Sequence, residues 1–256
     1  MRLPVRRARA LPAAVLIAAG SALAGCATGG PAASSSTSSP PGLSTTTSAA
    51  PAVSLAPYEP VWPFRTWADV VSWEQEHRAT GLEPWHLVLA ATATRFTTGF
   101  LGFRDVGVVL ATTTKADGAH VSVGFSPAPG RTSTAAVVHL VRWGSSADSP
   151  WEVVGTDDTT FSMTMPHYGA AATSPLRVGG AITGVDERIR VTVLEPSSAR
   201  ALGTFCCQPA GGSDSPWSAT VSYSGATDPV LTVVASTGGH VQSVERFTVT
   251  AVRSGR

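Results

Sequence analysis

The chain has 256 residues, a net charge of +1 and only 14% charged residues. Because the charges are sparse and balanced, the sequence argues against nucleic acid as a partner and against an acidic surface that attracts cations.

The first 26 residues have the pattern of an export signal. Basic residues stand first, at Arg2, Arg6, Arg7 and Arg9, and an uncharged apolar run and small residues follow. The run Leu23-Ala24-Gly25-Cys26 then resembles the lipobox of bacterial lipoproteins. That resemblance implies that residues 1–26 are a lipoprotein signal peptide and that Cys26 becomes the mature N-terminus with at least a diacylglyceryl group. An ordinary secreted protein and a transmembrane helix are the alternatives, although the apolar run is short for a span.

Residues 27–58 form the second predicted region. Serine, threonine, proline, alanine and glycine make up almost all of it, and no charged residue occurs between Arg9 and Glu59. Such a segment buries too little apolar surface to offset the entropy of ordering it. We expect a disordered stalk, either a bare spacer or a carrier of O-linked sugar.

Residues 59–158 are predicted to form an α+β domain that begins with two helices. Thr66 and Asp69 have the spacing of a capping box, and Gly81 is a stop signal for the first helix. Pro84 is predicted to open the second helix. An apolar stripe at three- and four-residue spacing follows it, formed by Trp85, Leu89, Ala93, Phe96 and Phe100.

An antiparallel meander of four strands is predicted after the helices. The first strand begins near Val106, and Lys115-Ala116-Asp117-Gly118 is a hairpin turn. The second strand ends at Pro127-Ala128-Pro129-Gly130, the third carries His139, and the fourth begins at Trp151. This order loosely resembles the nuclear-transport-factor-like, cystatin-like cone, which implies a curved sheet wrapped around a helix, often with a pocket.

Two features of this domain suggest a site. His139 either lines such a pocket, with Asp157 or Asp158 as its partner, or lies on the solvent face while Val138 and Leu140 face the core. Four tryptophans either form an aromatic platform for sugars or peptides or belong to the core: Trp62, Trp67, Trp73 and Trp85.

Residues 159–254 are predicted to be all β. Short alternating runs separated by turns, the first of them over residues 161–165, imply a sandwich. The run Ser174–Ala181, the strands at 189–193, 215–223 and 231–235, and Trp217 resemble the immunoglobulin-like domain of bacterial spore germination proteins. That resemblance implies a non-catalytic adhesion or scaffold module. Val185-Asp186-Glu187 departs from that family's usual acidic-aromatic feature.

The remaining motifs do not add up to a catalytic signature. Adjacent Cys206 and Cys207 suggest either a redox-sensitive disulfide or two unpaired thiols, and they make a poor zinc site. Glu74-Gln75-Glu76-His77 lacks the second histidine of a metal site. Asp157-Asp158 offers too few oxygens for calcium.

The sequence therefore predicts a non-enzymatic lipoprotein held on the outer face of the cytoplasmic membrane through Cys26. No catalytic, cofactor or metal residue is predicted. The expected partners are membrane lipid and an envelope protein or cell-wall polymer, with a possible link to sporulation or germination. The alternative is a small-ligand or hydrolytic pocket that uses His139 with Asp157 or Asp158.

Overall fold

The computed structural model describes residues 54–255, which are mostly β-strand with two α-helices. Helix α1 spans Trp67–Thr80 and is capped as predicted. The Thr66 hydroxyl accepts a hydrogen bond from the Asp69 amide at 3.3 Å, and the Asp69 carboxylate accepts one from the Thr66 amide at 3.0 Å. Gly81 ends the helix with a φ of 70°. The predicted start and stop of α1 are confirmed.

The predicted second helix is divided into three parts. A 3₁₀ helix spans Pro84–Leu87, α2 spans Leu89–Arg95, and a π-helical turn spans Phe96–Phe100. The chain is extended at Val88, and the Thr92 hydroxyl donates to both the Trp85 and Val88 carbonyls, at 3.0 and 3.2 Å. The same two carbonyls also accept from backbone amides, Trp85 from Val88 at 3.0 Å and Val88 from Thr92 at 2.9 Å, so the hydroxyl adds a second contact to each. The apolar stripe is nevertheless buried at Ala93, Phe96 and Phe100.

The first sheet is the predicted antiparallel meander of four strands. Its strands are β1 Val108–Lys115, β2 Gly118–Ala128, β3 Arg131–Arg142 and β4 Trp151–Thr156, in that order. β1 begins two residues later than predicted. Ala116-Asp117 forms the β1–β2 turn, since Lys115 pairs with Gly118.

The second sheet contains β5 Ala171–Ala172, β6 Leu176–Glu195, β7 Ser198–Val221, β8 Val230–Thr237 and β9 Arg246–Ser254. Their order is β5-β9-β8-β6-β7, and only the β5–β9 pair is parallel. Residues 176–181 of the run Ser174–Ala181 and the predicted strand at 189–193 are the two ends of one long strand, β6. The predicted strand over 161–165 is wrong, because that segment makes only isolated bridges from Phe161 to Ile182 and from Met165 to Gly179.

Strands β8 and β9 lie between two hydrophobic cores. On one side, Val234 and Phe247 pack with the helical residue Phe96 and with Val138 of the first sheet. On the other side, residues of β6, β7 and β8 pack around Phe161. Residues 54–255 belong to one compact unit, while the division into domains 59–158 and 159–254 remains a prediction. No helix among the residues described is long and apolar enough to cross a bilayer.

Candidate functional site

A cluster of ionisable side chains lies on one face of the first sheet. His120 of β2 and His139 of β3 are direct cross-strand partners, so both side chains lie on the same face. Their rings stack with centroids 4.5 Å apart and planes 17° from parallel. Asp117 lies in the β1–β2 turn and Asp157 follows β4 directly. We call Asp117, His120, His139 and Asp157 the histidine cluster.

Hydrogen bonds connect the four members of the histidine cluster. His120 Nδ1 lies 2.8 and 3.0 Å from the two Asp157 carboxylate oxygens, and His120 Nε2 lies 3.3 Å from Asp117 Oδ1. His139 Nε2 lies 3.0 Å from the Asp117 carbonyl oxygen. The His120 hydrogen bond lowers the pKa of the Asp117 carboxyl below its usual value. The cluster therefore has a buried centre, His120, and an exposed rim, Asp117.

Gly118 allows the His139 ring to lie close to the turn. Its φ is 140°, a conformation that L side chains rarely adopt. A Cβ at this position would lie 2.5 Å from the Leu140 carbonyl oxygen and 2.8 Å from His139 Nε2. The turn glycine is thus needed both for the hairpin and for the position of His139.

The structure places the predicted site residues differently from the expected pairing. Asp157 contacts His120, which the sequence did not single out, and reaches His139 only through the His120 ring. Val138 and Leu140 face the core as expected. His139 and Asp158 both line a cavity of about 250 Å³, together with Tyr58, Met163, Tyr168 and residues of β4 and β9. His139 and Asp158 therefore lie on a concave surface, as the pocket alternative requires.

A second concave surface contains two of the four tryptophans. Trp62 and Trp85 stack with centroids 5.2 Å apart and planes 20° from parallel, and the Arg95 guanidinium lies 5.0 Å from the Trp85 ring centre. Both indoles are partly exposed. They line a cleft of about 390 Å³ with Arg95, Thr98 and Ser197 among its other residues. We call this the aromatic cleft.

The other two tryptophans lie outside the aromatic cleft. Trp73 is buried against Phe64, with ring centroids 6.0 Å apart, and Trp67 packs beside Trp143. The prediction of an exposed platform therefore fits Trp62 and Trp85 only. The sequence could not separate the two pairs, because all four indoles lie within residues 62–85 and their spacing does not show which of them are covered.

The remaining predicted motifs have local roles. Glu74 forms an ion pair with Arg78 at 2.6 Å, and His77 stacks on Trp73 with centroids 5.0 Å apart. Cys206 and Cys207 are joined by a disulfide on β7. Cys26, the predicted lipidation site, lies outside the described residues.

Comparisons with known proteins give no relative for this chain. No protein family, curated protein or solved structure was found to match it.

Proposed function

We propose that this protein is a lipid-anchored, extracytoplasmic binding protein of the bacterial envelope, with no catalytic activity. The lipobox at Cys26 and the charge-free segment 27–58 support the anchor and the stalk. Two or more acyl chains give stable membrane attachment, whereas a single chain gives only reversible binding. In this proposal, residues 159–254 form the immunoglobulin-like scaffold domain that the sequence resembles.

The aromatic cleft is the observation that supports a binding role. The exposed parts of the two indoles offer apolar surface to the ring carbons of sugars, and the Arg95 guanidinium pairs with carboxylate or phosphate groups. Thr98 and Ser197 add hydroxyl groups at the same surface. These groups match a cell-wall polymer that carries sugars and negative charge, which is the ligand class we propose.

Replacing Cys26 with serine tests the anchor. We expect the wild-type chain to stay with membranes and to incorporate labelled palmitate, and the C26S chain to lose the label and be released. A chain with serine at both Cys206 and Cys207 is the matched control and should keep the label. Palmitate incorporation in the C26S chain would contradict the proposal.

Replacing Trp85 with alanine tests the aromatic cleft. In a pull-down of the full chain on purified cell-wall fragments, W85A should bind about 2- to 10-fold more weakly, because aromatic contacts contribute about 0.5–1.5 kcal/mol beyond burial. W67A removes another partly exposed indole outside the cleft and should bind like the wild type. Equal binding by W85A and wild type, or no retention of wild type on any fragment, would contradict the proposal.

A second candidate function uses the cavity of about 250 Å³ that His139 and Asp158 line. A small polar ligand there would meet an imidazole, a carboxylate and the Tyr58 side chain. Binding in this cavity does not involve Trp85, so W85A separates the two functions. A small ligand that W85A binds as well as the wild type would favour this second candidate.

A further inference from the structure

We propose that Asp117, His120 and His139 bind a divalent transition-metal ion, with Zn²⁺ as the favoured ion and Asp157 as a positioning residue. One ligand atom from each of the three side chains lies within 4.8 Å of the others. Three protein ligands of this kind leave a fourth position for water, as in open zinc sites. This site is independent of the aromatic cleft and of the lipid anchor.

The spacing of two ligand atoms already matches a tetrahedral ion. Zinc lies about 2.0–2.1 Å from nitrogen and oxygen ligands, which places neighbouring ligands roughly 3.4 Å apart. His120 Nε2 and Asp117 Oδ1 are 3.3 Å apart. The three ligand atoms lie within 4.8 Å of one another. His139, the third ligand, must therefore come closer to the other two by up to about 1.4 Å, and the half-exposed Asp117 side chain has room to move toward it.

Asp157 sets the state of the central ligand. Its carboxylate accepts a hydrogen bond from His120 Nδ1 at 2.8 Å, which places the proton on that nitrogen. When an ion binds, His120 Nε2 gives up its hydrogen bond to Asp117 and offers its lone pair to the ion, while Nδ1 keeps its proton. Histidine ligands of metals commonly make this hydrogen bond with their other nitrogen, and the bond fixes both the tautomer and the ring orientation.

The chemistry of the cluster selects the class of ion. Two imidazoles and one carboxylate suit zinc, copper and nickel, whereas calcium and magnesium prefer six or more oxygen ligands. With neutral imidazoles, Asp117 and Asp157 supply two negative charges, which balance one divalent cation. His139 would exchange its hydrogen bond to the Asp117 carbonyl for the ion.

The test uses the full chain, purified in detergent and stripped of metal with a chelator. We expect one Zn²⁺ per chain by titration against a fluorescent zinc chelator, and visible absorption bands of four-coordinate Co²⁺ in the same protein. D117N and H139Q should weaken Zn²⁺ binding by more than about 100-fold, and D157N by about 10- to 100-fold. H167Q removes an exposed histidine outside the cluster and should bind like the wild type.

D117N removes a ligand without removing packed side-chain surface, because Asp117 is half exposed in a turn. Far-UV circular dichroism of the metal-free chains should be the same for D117N and wild type. Saturable binding that D117N and H139Q leave unchanged would overturn the proposal. Failure of the wild-type chain to bind Zn²⁺ or Co²⁺ would overturn it as well.

Discussion

Replacing Phe247 with alanine should lower the free energy of unfolding by about 3–5 kcal/mol, the usual cost of removing a buried aromatic ring. Phe247 is 1% exposed. It lies on β9 of the second sheet, yet its ring contacts Phe103, in the segment between the π-helical turn and β1, with centroids 5.3 Å apart. Urea unfolding of the full chain, followed by far-UV circular dichroism, measures the loss. H167A, which truncates an exposed side chain, is the control.

A second substitution, in the other core, tests whether the two cores unfold together. Trp217 is the one tryptophan beyond residue 158, so W217F leaves fluorescence that reports only on residues 62–151. In that background, F161A opens a cavity in the other core, where Phe161 is 0% exposed. We expect F161A to lower the midpoint of the fluorescence transition, because β8 and β9 contribute side chains to both cores. An unchanged fluorescence midpoint with a separate, earlier circular dichroism transition would instead show two independently folding domains.

The elements that the sequence predicted well are those that short-range interactions determine. Helix α1 is defined by Thr66, Asp69 and Gly81, which act within one or two turns of the backbone. The hairpin at Ala116-Asp117 is similarly local. The second helix was predicted less accurately, because its spacing of apolar residues does not reveal that the chain is extended at Val88.

Long-range packing decided the elements that the sequence missed. Every residue of β8 is buried, so its run of apolar and small polar residues cannot show which side faces which core. The alternation over Phe161–Met165 predicts a strand. In the structure this segment makes only isolated bridges, while its side chains pack into a core. Whether such a segment joins a ladder depends on the register of distant strands.

The contacts of the candidate sites also depend on how distant strands pair. Counting outward from the Pro129-Gly130 turn pairs Ala128 with Arg131 and His120 with His139, but only because two register shifts between these pairs cancel. The sequence does not reveal those shifts, so it predicts the histidine pair only if the ladder is taken to be regular. Asp157 was a candidate for the wrong partner, because its contact with His120 requires β4 to pack beside β3. The stacking of Trp62 on Trp85 likewise depends on the pairing of Trp62 with Val153.

Acid should destabilise the fold through His86 before most carboxylates titrate. His86 is 3% exposed and its ring stacks against Phe64 and Trp85, with centroids 4.8 and 3.6 Å apart. Burial, aided by the charges of Arg95 and His77, lowers the pKa of His86 from 6.5 to about 3. The Glu83 carboxylate lies 3.5 Å away and opposes this shift only weakly, because it is 60% exposed to solvent.

The direction of the pH effect follows from proton uptake. Between pH 6.5 and 3 the unfolded chain binds a proton at His86 that the folded chain does not, so stability falls as the pH falls. The full shift corresponds to about 5 kcal/mol, of which about 2 kcal/mol is lost between pH 7 and pH 5. H86F keeps the stacking and removes the proton site. Its advantage over wild type should therefore grow by about 2 kcal/mol over that interval.

Glu152 should impose the opposite dependence at higher pH. Its side chain is fully buried and Oε2 accepts a hydrogen bond from the Phe64 amide at 3.2 Å, while Oε1 has no partner among residues 54–255. Burial raises its pKa well above 4.5, so the folded chain holds a proton that the unfolded chain releases, and stability falls as the pH rises. Urea unfolding at pH 5, 7 and 9 separates the two effects. Relative to wild type, the free energy of unfolding should rise for H86F at pH 5 and for E152Q at pH 9. H167F, with its ring at an exposed position, should follow the wild type at every pH. Parallel curves for H86F and wild type would show that His86 titrates alike in the folded and unfolded chains.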